Sequence, residues 1–276
     1  MCRWIAYSGE PLLLEDLLYK PEHSLIDQSL HARLGPHTTN GDGFGLGWYG
    51  EGHEPALFKG IDPIWSNRNL RELSRQVRSG LTFAHVRSST GTPVQQTNCH
   101  PFRHGEWLWM HNGQIAGFQT VKRDLALAID PALYPFIEGS SDTEIFFFLA
   151  LTFGLEQDPP SAVERAVGFI EQVCGSHHIE QAMRMSVAVS DGDSIWAFRY
   201  SSEGVPPSLY YSTKVETLQK QYPEMPVFRH LSGESRLIVS EPLDDLAGVW
   251  NEVPPSHYGI IRQGKDELQS FSPRAA

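Results

Sequence analysis

The order in which strand-like and helical segments arrive constrains the fold of this chain more than any other feature. Short apolar runs read as strands at residues 3–7, at 44–49 behind the glycine-rich turn Asn40-Gly41-Asp42-Gly43, at 81–87 and at 106–111, where Trp107, Trp109 and His111 alternate onto one face. Helical patterns concentrate in the middle, at 70–77, around 115–129, at 143–153 and at 162–173, and Ser141 with Glu144 gives capping-box spacing ahead of the third. Strands return at 185–189 and 194–200 around the hairpin signal Asp191-Gly192, then at 209–212, 237–240 and 258–262. Strands, helices, then strands again predict sheets with helices packed outside them.

Length and composition narrow the function classes. With 276 residues, 40% hydrophobic and 20% charged, the chain can bury a sizeable core, and no repeat or low-complexity linker divides it. We expect one domain over 1–276 with a loose tail from about 265. The longest apolar run, 145–151, is far below the roughly 20 residues that span a bilayer, and Glu10, Glu15 and Asp16 interrupt any signal-like segment at the start. Three cysteines, Cys2, Cys99 and Cys174, make no disulfide framework and fit a reducing compartment, so the expected location is the cytoplasm. A net charge of −11 opposes binding to nucleic acid or anionic membranes and favours a small-molecule partner.

Four places could carry chemistry. Cys2 would bear both a thiol and a free α-amine once Met1 is removed; with an amine near pKa ~7.7–8.0 and a thiol near ~8.5, one residue could be nucleophile and base. Arg87 ends an apolar strand and offers a planar fork for a carboxylate, although a strand-end arginine is also an ordinary surface residue. Asn112-Gly113 could supply two donors to an oxyanion, while Asn-Gly is equally a turn dipeptide at which the tryptophan-rich strand would stop. Asp142 could bind an ammonium group or serve only the start of a helix. Two other signals are discounted. The dinucleotide-like string from Gly45 to Gly50 runs into Glu51-Gly52-His53-Glu54-Pro55 rather than a helix, and reads as glycines for close packing. His100 and His104, beside Cys99, lack the helical or paired-Cys context of a metal site, so no metal and no cofactor are expected.

Taken in order, an N-terminal Cys-Arg, a strand ending His-x-Arg, then His-Asn-Gly, then Asp-Thr-Glu at a helix start, the chain resembles the class II glutamine amidotransferases, which are Ntn hydrolases. The motifs run from Cys2 to Glu144, and Ser240-Glu241-Pro242-Leu243 resembles the late strand end of stand-alone members. The resemblance implies an α+β fold, an αββα sandwich of two stacked, mainly antiparallel sheets with helices outside. It implies that Cys2 attacks the side-chain amide of glutamine with its own amine as base, that Arg87 binds the substrate α-carboxylate and Asp142 its α-ammonium, with Thr90 also substrate-binding, and that Asn112 and Gly113 form the oxyanion hole. A γ-glutamyl thioester would form, release ammonia or an amine, and hydrolyse to glutamate. Arg3 would support the nucleophile. Large synthase members continue the arginine strand as Trp-Ala-Thr-His-Gly, whereas this chain reads Ser88-Ser89-Thr90-Gly91-Thr92; Met1-Cys2-Arg3, Asn40 to Trp48 and Ser240 to Leu243 resemble more closely the stand-alone branch that includes the γ-glutamyl amidohydrolase of ergothioneine biosynthesis. Any ammonia acceptor would then be a separate protein. A catalytically silent amino-acid-binding or regulatory protein on the same fold is the alternative.

Overall fold

The computed structural model describes residues 2–35, 38–52, 54–89, 91–225, 231–262 and 264–275. Strand β1 (Arg3–Leu13) leads into the short helices α1 (Leu14–Leu18) and α2 (Leu25–His31), the strand pair β2 (Phe44–Trp48) and β3 (Ala56–Gly60), helix α3 (Arg68–Ser74) and strand β4 (Arg78–Val86). The middle of the chain holds β5 (Phe102–His104), β6 (Trp107–Ile115) and the helices α4 (Phe118–Leu127), α5 (Asp142–Thr152) and α6 (Pro159–Ser176). The last third forms β7 (Met183–Ser190), β8 (Ser194–Ser201), β9 (Tyr210–Ser212), α7 (Val215–Gln221), β10 (Arg236–Val239), β11 (Trp250–Glu252), β12 (His257–Arg262) and β13 (Lys265–Ser270).

These strands make a seven-stranded sheet, ordered β11-β9-β10-β1-β4-β2-β3, and a six-stranded sheet, ordered β13-β12-β8-β7-β6-β5. Their pairings are antiparallel. Side-chain alternation sorts each strand between two cores. Trp4, Ala6 and Phe83 from the first sheet meet Leu108, Met110 and Ala188 from the second. On the outer face of the first sheet, Ile5, Ala84 and Val86 pack with Leu14, Leu25 and Leu70 of the short helices. On the outer face of the second, Trp107 and Trp109 pack with Phe146, Phe147 and Ile170 of the long helices. The result is helix, sheet, sheet, helix, as the sequence predicts. Glycines in β2 let the sheets approach, since a Cβ at Gly45 would lie 2.2 Å from the His100 carbonyl oxygen and one at Gly47 within 3.0 Å of Leu108.

The structure departs from the sequence reading in four places. The strand through Trp109 does not stop at Asn112-Gly113; β6 continues to Ile115, in unbroken register with β7. The helix expected over 70–77 ends at Ser74, because Arg78 and Ser79 are drawn into β4 by pairing with Leu13 and Leu12. Segments 14–18, 25–31 and 215–221 are short helices, and β3, β5 and β11 are short strands, that no periodic pattern announces. The segment expected to be loose from about 265 is packed: β13 pairs with β12, Phe271 is buried, and Ser272 and Arg274 bond Glu164 of α6. Among the described residues no helix is long and apolar enough to cross a membrane.

Candidate active site

The site forms where the paired ends of β1 and β4 face β6. Arg3 pairs with Val86 and Trp4 with His85, which sets Cys2 level with Arg87. Because Trp4 and Phe83 point between the sheets, alternation turns Cys2, His85 and Arg87 the same way. On the facing sheet Leu108 and Met110 point inward, so Asn112 does too. A cleft of about 280 Å³ opens here, and its walls include Cys2, Arg87, Ser88, Gly113 and Asp142. Asn112 is buried beside Gly113 and is not part of the cleft wall. Thr90 lies outside the described residues.

Cys2 is half-buried, its thiol 3.6 Å from the Ser88 carbonyl oxygen and its sulfur 3.4 Å from the Ser88 N–H that donates to it. Burial pushes the thiol above its ordinary pKa, against the opposing pull of the Ser88 N–H and of the charges on Arg87 and Arg3. A resting thiol of this kind needs a base before it can attack. Arg87 is 4% exposed. Its Nη2 donates to Ser89 Oγ at 3.2 Å and Thr92 Oγ1 at 2.5 Å, and its Nη1 to the Asp42 carbonyl at 3.4 Å. Among the described residues these partners are all neutral oxygens, so the buried guanidinium keeps its charge for an anionic ligand.

Gly113 and Asp142 are tied together through β6. The His111 N–H points away from β7 to His100 Nδ1 at 3.4 Å, and the Ile115 N–H points the same way to Asp142 Oδ2 at 2.9 Å. In an antiparallel ladder alternate N–H groups face one edge, so the Gly113 N–H between them is aimed at the open edge and into the cleft. No larger residue fits there: a Cβ would lie 1.9 Å from the Arg184 carbonyl oxygen and 2.5 Å from His111 Nε2. Asp142 also accepts the Thr143 N–H at 2.9 Å, while Ser141 caps α5 by accepting the Glu144 N–H. Its carboxylate thus serves the helix start and still has unused acceptor sites at the cleft wall. His111 Nδ1 bonds Thr143 Oγ1 at 2.9 Å, fastening β6 to the same helix start.

Sequence reasoning missed two supports. Asp42, noticed only as part of a glycine-rich turn, accepts the Ser89 N–H at 2.8 Å and orders the segment after Arg87. Glu241 is buried and binds Arg3, which in turn donates to the Cys2 carbonyl at 2.9 Å. His100 and His104 take diverging positions: the His100 ring lies tilted against His85, centroids 4.1 Å apart, and His104 packs on Phe136 and Phe148.

Two antiparallel sheets between helix layers, with a cleft at the strand ends, is the fold of the N-terminal-nucleophile amidotransferases. Glutamine phosphoribosylpyrophosphate amidotransferase from B. subtilis shares it, at a TM-score of 0.65 and 18% identity, over 99% of this chain and 50% of that one. The chain belongs to the class II glutamine amidotransferases, whose family profile matches residues 22–275. It is 35% identical to the probable glutamine amidotransferase DUG3 of Saccharomyces cerevisiae, over 95% of this chain and 82% of that protein. It is 25% identical to the gamma-glutamyl-hercynylcysteine sulfoxide hydrolase of Mycolicibacterium smegmatis, over 95% and 96% of the two chains. A glutamine aminotransferase class-II domain protein from Silicibacter pomeroyi has a solved structure with a TM-score of 0.75 at 33% identity, covering 99% of this chain and all of that one. The chain is therefore an enzyme of the class II glutamine amidotransferase type.

Proposed function

We propose that this enzyme hydrolyses the side-chain amide of a γ-glutamyl compound, glutamine included, with Cys2 as nucleophile. One observation carries this reading: a cysteine near the chain start, a buried arginine bonded only to neutral oxygens among the described residues, a glycine at an open strand edge and a helix-start carboxylate line the same cleft. Arg87 takes the substrate α-carboxylate and Asp142 its α-ammonium, with Thr90 as a further substrate-binding residue. Gripped at both ends, the substrate presents its γ-carbonyl to Cys2, and such positioning lowers the entropic part of the barrier. With Met1 removed, the α-amine of Cys2 accepts the thiol proton as the S–C bond forms, and the Asn112 amide and Gly113 N–H stabilise the oxyanion. Collapse breaks the C–N bond; the leaving amine takes the proton back and departs as ammonia or a larger amine. Water then attacks the thioester, giving glutamate and the free thiol.

The three cysteines are unpaired, which supports a reducing, cytoplasmic setting. We read 1–276 as one catalytic domain that takes small-molecule substrates, with any ammonia acceptor on a separate protein. The test is release of glutamate, with ammonia or amine, from glutamine and a panel of γ-glutamyl amides, alongside intact mass. We expect a chain lacking Met1, turnover abolished in Cys2→Ala, and one covalent adduct at Cys2 with a glutamine-analogue electrophile. Undiminished turnover in Cys2→Ala overturns the assignment.

A further inference from the structure

The carboxylate of Glu241 binds more partners than an ordinary ion pair requires. Oε2 accepts from Arg3 Nε at 2.7 Å and the Leu34 N–H at 2.8 Å; Oε1 pairs with His23 Nε2 at 2.5 Å and accepts the Arg33 N–H at 2.8 Å. Burial alone would raise its pKa, but the His23, Arg33 and Leu34 bonds and the Arg3 charge outweigh it and hold the carboxyl below its usual range. The group is therefore a fixed anion at neutral pH, with both oxygens doubly engaged.

Its partners lead to the cleft by two routes. The first is Arg3, whose Nη1 donates to the Cys2 carbonyl at 2.9 Å, on the peptide joining the nucleophile to β1. The second begins at Arg33 and Leu34. Next to Arg33, the Ala32 N–H bonds the Thr38 carbonyl at 2.8 Å, and the Asn40 N–H bonds the Ser29 carbonyl of α2; two residues on is Asp42, whose N–H bonds the Arg87 carbonyl at 3.0 Å and whose carboxylate holds the Ser89 N–H. The Arg87 N–H bonds the Gly43 carbonyl at 2.9 Å, so the whole Arg87–Ser89 arm hangs on this segment. Ser240, just before Glu241, locks the same end of β1 by exchanging bonds with the Trp4 backbone.

We infer that Glu241 is a positioning residue that sets the Cys2 thiol in register with the Arg87 arm. The inference rests on the γ-glutamyl amidohydrolase reading. A glutamine at this position keeps the size but replaces two lone-pair sites with an NH₂ and removes the charge facing Arg3, so some of the four donors lose their acceptor. Both routes then slacken together. A lysine at position 3 acts on one route alone, since it keeps the charge but lacks the fork that reaches Glu241 and Cys2 simultaneously.

The experiment compares wild type, Glu241→Gln and Arg3→Lys, each checked for Met1 removal, by thermal melting, by glutamate binding and by steady-state hydrolysis below the lowest melting temperature. Expected for Glu241→Gln is a kcat reduced at least tenfold together with glutamate binding weakened at least threefold; for Arg3→Lys, a kcat reduced at least tenfold with glutamate binding within twofold of wild type. A merely structural role moves melting temperature while leaving kcat and glutamate binding in place, and that result in either variant overturns the inference. Should Glu241→Gln not fold, Arg3→Lys alone decides. Wild type without turnover on any γ-glutamyl amide and without electrophile labelling at Cys2 refutes the functional reading instead, which separates the two failures.

Discussion

At the scale of single residues, the site combines groups whose roles alternation separates. Asn112 and Gly113 are neighbours in β6, yet the proposed oxyanion hole would use the side chain of one and the N–H of the other, because Asn112 points between the sheets and the Gly113 N–H points to the open edge. Asn112→Ala is expected to lower kcat by ~10²–10³ with little change in KM, as loss of one oxyanion donor does elsewhere; steady-state kinetics on the best γ-glutamyl amide measure it. If KM moves instead of kcat, Asn112 binds ground-state substrate. Cys2, Arg87 and Asp142 were legible as residue types in order. Asp42 and Glu241 were not, since an aspartate in a glycine turn and a glutamate after a strand are common, and only their hydrogen bonds distinguish them here.

At the scale of elements, local chemistry decides the long segments and pairing decides the short ones. Helix α5 is predicted by its cap, and Ser141 does accept the Glu144 N–H; the Glu144 carboxylate, however, turns to the Glu138 and Gly139 N–H groups rather than closing a capping box. Ser141→Ala is expected to cost about 1 kcal/mol of stability by loss of the cap, read as a lowered denaturant midpoint. Activity should fall as well, because Asp142 begins the same turn; a fully active but destabilised variant would show that the turn holds its geometry without the cap. The Asp191-Gly192 hairpin was equally legible: Gly192 sits at φ 95° and Asp191 Oδ1 accepts the Asp193 and Ser194 N–H groups. By contrast all six residues of β13 are exposed and β5 is only three long. Neither carries an alternating pattern, and each exists because a partner strand offers its free edge.

At the scale of the whole molecule, the inter-sheet space carries a consequence for acid stability. His85 is fully buried, neither ring nitrogen makes a hydrogen bond within 3.5 Å among the described residues, and burial, with the Arg87 charge next, lowers its pKa to about 3; His100 and His111 are lowered for the same leading reason. An unfolded chain protonates these rings near pH 6.5 and the folded one resists, so stability is full above that pH and falls as pH drops; for His85 the fall continues toward pH 3 at up to about 1.4 kcal/mol per unit, and the other two rings act in the same direction. Denaturation measured between pH 7 and 4 should show this slope, and His85→Gln should flatten it; an unchanged slope would mean that the ring ionises in place. The sequence by itself determined the α+β order, the long strands and helices, and the set of residue types from Cys2 to Asp142, because periodicity, capping and turn chemistry act between near neighbours. Only the tertiary structure decided that Asn112-Gly113 lies within a strand, that the residues after 265 close an edge, and that Glu241 joins Cys2 to Arg87. Those outcomes depend on hydrogen-bond partners brought from distant segments, and no local pattern encodes which partner arrives.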